Sequence, residues 1–237
     1  MGQSESLRER KEQHKPKNIK SKLDDKAIYV SMNKVITYLN ERFNMLESFS
    51  NYEIVFEKTI KVEDMINFIK LNGVREEFDY SYIDREIVPD GGVLFLINKE
   101  NGVKKPILIS EIKRQGTNDE RLKEGKKKQA TGNAIERLGK NLIGIKTMMN
   151  YEKITPFVCF GWGCDFAENS ITVLAKIGMM NEFYPLNHIY VFKRDGNLEN
   201  KAFSPVSMFF REEIWSVDEM FNIMKEIAET SLRYYLY

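Results

Sequence analysis

Residues 89–113 read Pro-Asp-Gly-Gly-Val-Leu-Phe-Leu-Ile-Asn-Lys-Glu-Asn-Gly-Val-Lys-Lys-Pro-Ile-Leu-Ile-Ser-Glu-Ile-Lys. Val93 to Asn98 is a short apolar run, Asn101-Gly102 is a turn signal, and Pro106 to Ile112 is a second apolar run. Two such runs around a glycine-containing loop predict a β-hairpin. Side chains alternate along a strand, so Glu111 and Lys113 share one face. Asp90 stands just before the partner strand and is expected close to Glu111. The hairpin then ends in two acids and a lysine.

Two carboxylates in one pocket repel, and one tends to keep its proton. A divalent cation removes that conflict. Hard oxygen ligands in small number suit Mg²⁺, which keeps several waters and takes further oxygens from a phosphate. Such an ion lowers the pKa of a bound water and stabilises charge on a phosphoryl oxygen. Lys113 is placed to orient the attacking water or to offset developing charge. By itself, however, Asp, a gap and Glu-x-Lys is a weak signal, and the bare pattern favours an ordinary salt bridge at a strand end.

Further motifs change that balance. Pro89-Asp90-Gly91-Gly92 is followed by Glu111-Ile112-Lys113-Arg114-Gln115-Gly116. Then come Gly132-Asn133-Ala134-Ile135-Glu136-Arg137 and Lys140-Asn141. In this order they resemble the EcoRI family of type II restriction endonucleases. Glu12-Gln13-His14-Lys15 and Thr230-Ser231-Leu232-Arg233 are weaker echoes of the same family. The resemblance implies an α/β fold, a mixed five-stranded sheet flanked by helices, with arms that wrap DNA. It implies that Asp90 and Glu111 bind Mg²⁺ together with the backbone carbonyl of Ile112, and that Lys113 is catalytic. It implies that Asn133 contacts adenine edges and that Arg137 reaches a purine or braces a neighbouring subunit through Glu136. Gln115, Gln129, Ala130, Gly132 and Ala134 are expected beside them at the DNA. Asn and Arg suit these roles, because their side chains pair bidentately with adenine and guanine. The chain departs from the best-known member at Val88, where that member has lysine, and at Gln129, where it has methionine. The second departure leaves the outer base pair of the target open.

The length of 237 residues, with 42% hydrophobic and 30% charged, fits one sizeable soluble domain. Residues 1–22 are polar and basic without apolar periodicity and are expected to form a flexible arm; residues 23–237 are expected to form one catalytic and recognition domain. No apolar run approaches the roughly 20 residues of a membrane helix. The N-terminus carries no secretory core. Cys159 and Cys164 are expected as buried free thiols in a reducing cytoplasm. The two histidines, His14 and His188, lie far from them, which speaks against zinc. The net charge is only +1, yet residues 104–146 hold twelve Lys/Arg against five Asp/Glu. A basic excess at this place is what tracking a phosphate backbone requires. Lys123 to Lys128 reads either as a DNA-wrapping arm or as a solvated loop.

Along the chain, Asp24-Asp25 reads as a helix start. Ile28, Met32, Val35, Ile36, Leu39, Phe43 and Leu46 follow at helical spacing. A strand is expected at Tyr52–Phe56. A helix is expected through Val62, Met65, Ile66 and Ile69, stopping at Gly73. Arg75 to Ile87 is acidic and aromatic, with Phe78, Tyr80 and Tyr82 as packing residues, and offers Glu77, Asp79 and Asp84 as spare carboxylates. The stripe Ile135, Leu138, Leu142, Ile145 and Met149 predicts a helix from about Asn133. Gly139 and Gly144 weaken it by about 1 kcal/mol each and suggest close packing, with a second subunit as one candidate. Ile154–Trp162 reads as a buried strand, and Ser170–Ile177 and His188–Lys193 as further strands. Ser216-x-x-Glu219 is a capping box that opens a last amphipathic helix. Arg233 in it reads as structural or as a phosphate contact.

The expected function is therefore a Mg²⁺-dependent homodimer that cuts both strands of a short palindrome in double-stranded DNA. An AATT core such as GAATTC, 5′-phosphate ends and a cognate methyltransferase in the same cell belong to that expectation. Two-fold symmetric sites match two-fold symmetric proteins. The rival readings are a structure-selective repair or junction nuclease of the same fold and a non-catalytic DNA-binding regulator.

Overall fold

The computed structural model describes residues 19–44, 49–71, 85–114, 118–127, 133–149, 152, 154–164, 189–190 and 206–237. In chain order it contains α1 (Ile19–Asn44), β1 (Tyr52–Glu57), β2 (Ile60–Lys61), α2 (Val62–Leu71) and β3 (Glu86–Ile87). There follow β4 (Gly92–Asn98), β5 (Lys104–Arg114), α3 (Asn118–Lys123) and α4 (Asn133–Met148). The chain closes with β6 (Phe157–Trp162), β7 (Ile189–Tyr190), β8 (Val206–Arg211) and α5 (Val217–Leu236).

The expected hairpin is the centre of the sheet. β4 and β5 pair antiparallel, and the connecting turn is closed by Gly102 N–H donating to the Asn98 carbonyl at 2.8 Å. Strand order is β1-β4-β5-β6-β8-β7. β1 adds antiparallel to β4, whereas β6 and β8 continue parallel beyond β5. This is the expected mixed sheet of five strands flanked by helices, extended at one edge by the two-residue β7.

The register of β5 decides which face its acids occupy. Leu94 pairs with Leu108 but Phe95 pairs with Pro106, so Ile107 is an extra residue, a β-bulge. Lys104, before the bulge, lies over the Phe95 ring on the α4 side, while Lys105 lies over Tyr235 of α5. Strict alternation from Lys104 would send Glu111 to the α5 side. The extra residue resets the phase. Ile107 and Leu108 both enter the core under α1 and α5, and Ile109, Glu111 and Lys113 turn toward α4.

Each face has its own core. Leu138, Leu142 and Ile145 of α4 pack on Val93, Ile109 and Phe157. On the other face Ile28, Met32 and Leu39 of α1 and Met224, Ile227 and Ala228 of α5 cover Leu94, Ile112 and Phe160. The apolar stripes expected for α1 and α4 thus face the core, with Ile36 and Phe43 only partly buried, and the expected amphipathic α5 buries one face; Leu46 and the side chain of Ile135 lie outside the described residues.

Several expectations need correction. α1 starts at Ile19, more than a turn before Asp24-Asp25. Asp24 is instead buried within the helix, 5% exposed. Gly144 has a steric reason within this chain: a Cβ there would lie 2.9 Å from Ile87 Cδ1 and 3.5 Å from Met65 Cε. Cys159 is buried, but Cys164 is only partly buried, and neither forms a disulfide among the described residues. β8 was not anticipated. Part of the basic stretch is ordered as α3, closed by Gly125, whose positive φ of 67° lets its N–H reach the Leu122 carbonyl at 3.0 Å. Residues 1–18, Gly73, the residues from Phe78 to Asp84 and the strand expected at Ser170–Ile177 lie outside the described residues. The capping box of α5 forms as expected, with Ser216 and Glu219 exchanging hydrogen bonds.

Candidate active site

Pro89-Asp90-Gly91-Gly92 makes the turn into β4, and its glycines have steric reasons. A Cβ on Gly91 would sit 2.1 Å from Ser110 Oγ and 2.9 Å from Ile28 Cγ1. Gly92 has φ of 77°, and a Cβ there would press on the Phe56 ring and the Glu57 carbonyl. These close approaches bring Asp90 onto the end of β5. Gly91 N–H donates to the Ser110 carbonyl at 3.0 Å. Ile112 N–H donates to Asp90 Oδ2 at 3.2 Å, and Asp90 N–H donates to Glu111 Oε2 at 3.3 Å.

The three side chains meet. Lys113 Nζ lies 2.6 Å from Asp90 Oδ2 and 2.6 Å from Glu111 Oε1. Glu111 is the deepest, its side chain 2% exposed, against 17% for Lys113 and 27% for Asp90. Burial raises the Glu111 carboxyl above its ordinary pKa; Lys113 opposes this and Asp90 adds to it. Burial by itself would lower Lys113, but the charges of Glu111 and Asp90 outweigh it and hold the ammonium above its ordinary value. With both acids ionised the triad carries one uncompensated negative charge at a poorly hydrated place. Two hard carboxylates with surplus negative charge, Asp90 the more exposed of the pair, fit a small divalent cation.

Two residues at the site were missed by sequence reading. Asn141 of α4 donates from Nδ2 to Glu111 Oε1 at 3.1 Å. In the sequence it stands only as part of the Lys140-Asn141 pair. Asp25 of α1 is a third acid near the pair. Its carboxyl is raised, first by burial and then by the charge of Asp90, with Lys113 opposing. Ile28, one turn further along α1, touches the Gly91 backbone position, which explains how α1 brings Asp25 there. The sequence offered the Asp24-Asp25 pair, but as a helix start.

A family model described as Restriction endonuclease EcoRI matches residues 17–236. The chain belongs to the EcoRI restriction endonuclease family. Among its relatives, the type II restriction enzyme RsrI of Cereibacter sphaeroides is 32% identical over 177 residues, 62% of this chain and 63% of that protein. The type II restriction enzyme EcoRI of Escherichia coli is 27% identical over 179 residues, 62% of this chain and 64% of that protein. The aligned part thus spans less than two-thirds of either relative.

For the EcoRI-family motifs, the structure brings Asp90, Glu111 and Lys113 into one cluster. Ile112 points its side chain into the opposite core and gives its N–H to Asp90. Asn133, Ala134 and Arg137 fall on the first turns of α4; their side chains lie outside the described residues, as do Gln115, Gln129, Ala130 and Gly132 entirely. The direction of α4 is nevertheless clear. Met148 shares a cavity wall with Lys104 and Pro106 at the start of β5, whereas Asn141 reaches Glu111 near its end. α4 therefore runs against β5, and Asn133 lies about 12 Å beyond Asn141 along the axis. That end faces the carboxyl ends of the parallel strands, where ligands of open α/β sheets bind. Beside it in sequence, Lys123, Lys126 and Lys127 are exposed. No described helix is long and apolar enough to cross a membrane.

Proposed function

We propose that this chain is a type II restriction endonuclease that hydrolyses one phosphodiester in each strand of a short palindromic duplex. The carrying observation is the buried Asp90–Glu111–Lys113 cluster in a chain matched by the family model over residues 17–236. Asp90 and Glu111, with the Ile112 carbonyl, hold Mg²⁺, which supplies an activated water and electrostatic stabilisation of the scissile phosphate when bound. The Lys113 ammonium, shared between both acids, donates toward the attacking water and offsets charge on the phosphoryl oxygens. Attack with the 3′ oxygen as leaving group gives 5′-phosphate ends.

Base reading falls to the N-terminal end of α4. Asn133 reads adenine and Arg137 a purine or the partner subunit, with Gln115, Gln129, Ala130, Gly132 and Ala134 alongside, on an AATT core such as GAATTC. A homodimer presents two such ends, one to each half-site. A cytoplasmic enzyme of this kind requires a cognate methyltransferase to protect host DNA. Residues 1–22 serve as an arm on the DNA, ahead of the single domain 23–237.

Digestion of a sequenced plasmid with Mg²⁺, followed by sequencing of the ends, tests this directly. Defined bands with 5′-phosphates are expected. Cleavage of branched or damaged DNA only would replace the reading with a repair nuclease. Glu111→Gln is expected to abolish cleavage while leaving duplex binding intact; full activity in that variant would exclude the mechanism.

A further inference from the structure

We propose that Asn141 is a positioning residue that ties the DNA-facing end of α4 to the Glu111 carboxylate, so that base reading sets the geometry of the hydrolytic centre. The inference rests on the nuclease reading above and adds a role for a side chain to which that reading assigns none.

Three observations carry it. First, Glu111 Oε1 accepts from both Lys113 Nζ at 2.6 Å and Asn141 Nδ2 at 3.1 Å. A carboxylate only accepts, so the amide must present its NH₂ here, and its Oδ1 is turned away from the acid. Lys113 comes from the same strand as Glu111. Among the described residues, Asn141 is the one hydrogen-bond partner of Glu111 that comes from another layer of the fold. Second, α4 is seated firmly on the sheet. Leu138 and Leu142, flanking Asn141, are buried in the core with Ile109 and Phe157. A tilt or slide of the helix therefore moves the amide against the carboxylate. Third, the same face of α4 touches the segment that delivers the other acid. Gly144, three residues from Asn141, admits Ile87 so closely that a Cβ would lie 2.9 Å from its Cδ1. Ile87 is followed by Val88, the buried Pro89 and Asp90. One rigid helix thus bears on both acid-carrying segments, while its first turn, two turns from Asn141, lies where the duplex would be read.

A hydrogen bond that orients a metal-holding carboxylate typically changes metal affinity or rate by roughly 10- to 100-fold when lost. If it also transmits recognition, its loss falls more heavily on the correct site than on a wrong one. Asn141→Ala is therefore expected to slow single-turnover cleavage and to raise the Mg²⁺ needed for half-maximal rate, each by roughly 10- to 100-fold. Its ratio of rates on the correct site to a site with one base pair changed is expected to fall about tenfold. Asn141→Asp keeps the shape but replaces the donor with a second carboxylate facing Glu111, and is expected to be worse than Asn141→Ala. Asn141→Ser keeps a short donor and is expected to recover part of the loss. A second measurement does not depend on turnover. Amide hydrogen exchange across 108–113 is recorded with and without cognate duplex in the presence of a chelator. Duplex is expected to slow exchange in the parent chain and to leave Asn141→Ala unchanged, although both bind it.

A parent that cuts its site while Asn141→Ala matches it in rate, Mg²⁺ response and discrimination overturns this proposal alone. Equal duplex-induced slowing of 108–113 in parent and variant overturns it too, even if the variant is unstable to heat. A parent chain that leaves every duplex intact overturns the nuclease reading, and with it this one.

Discussion

Lys113 sits equidistant from Asp90 and Glu111, and that geometry depends on two glycines that do no chemistry. Gly91 lets the turn close onto Ser110 and Ile28, and the clash a methyl group would cause is with a buried hydroxyl and a packed isoleucine. Gly91→Ala is expected to displace Asp90 by a fraction of an ångström or more, and misplacement on that scale can cost 10²-fold in rate. Cleavage rate measured beside the thermal midpoint checks this, with the rate expected to fall far more than stability. At the opposite end of the chain, Glu219 accepts two hydrogen bonds from Arg211, at 2.7 and 2.8 Å, and one from Ser216 N–H at 2.9 Å. The Arg211 guanidinium first, and Ser216 with it, hold the Glu219 carboxyl down to about 2. A carboxyl depressed on folding stabilises above its unfolded pKa and loses that contribution as pH falls through the folded value. The parent is therefore expected to be more stable than Glu219→Gln near neutrality, by less than about 1 kcal/mol because the side chain is half exposed. The gap should close between roughly pH 4.5 and 2, as denaturant melts at several pH values would show.

Elements show what a one-dimensional reading can and cannot reach. The β4–β5 hairpin, the stripes of α1, α4 and α5, and the Ser216–Glu219 box were legible because each is written in neighbouring residues. That Glu111 and Lys113 share a face was legible for the same reason. Which face they share was not, since it depends on the Ile107 bulge, and a bulge is a property of two strands in register. β8 was missed because Met208, Phe209 and Phe210 form a short apolar run covered on both sides, with no alternation to announce it. Asn141 was missed because its partner lies thirty residues back on another layer. α1 begins before its acids because Asp24 is held inside the fold, where the charge of Arg114 partly offsets its burial. Deleting Ile107 is a direct test of the register argument. With Ile107 gone, Leu108 still lies opposite Leu94 and Pro106 opposite Phe95, so the strand alternates without a bulge and Glu111 and Lys113 are expected to stay on the α4 side. A structure of the deletion variant is expected to keep the Asn141–Glu111 contact, and Glu111 found under α5 would overturn the register argument.

For the molecule as a whole, near-neutral net charge conceals a strong division. Most of the basic residues of 104–146 lie in α3, the end of β5, the start of α4 and the stretch between them, whereas Lys104, Lys105 and Lys146 stand at the other ends of β5 and α4; the remainder of the chain is acidic in compensation. Such a division favours a polyanion along one edge and repels it elsewhere. The parallel half of the sheet, β5-β6-β8, carries this edge, and the antiparallel half, β1-β4, delivers Asp90 to it.

Beneath this edge the partner of Glu111 across the β5–β6 ladder is Cys159, wholly enclosed, with burial pushing its thiol well above the ordinary value. An enclosed, protonated sulfur is unreactive. Alkylating it demands that two central strands come apart, whereas the partly exposed Cys164 needs no such event. The molecule thus carries a built-in clock for breathing of its own middle. With a thiol reagent and peptide mapping, labelling of Cys159 is expected to trail that of Cys164 by orders of magnitude and to keep pace with global unfolding. A ligand that clamps the catalytic edge should slow the clock further, whatever its sequence.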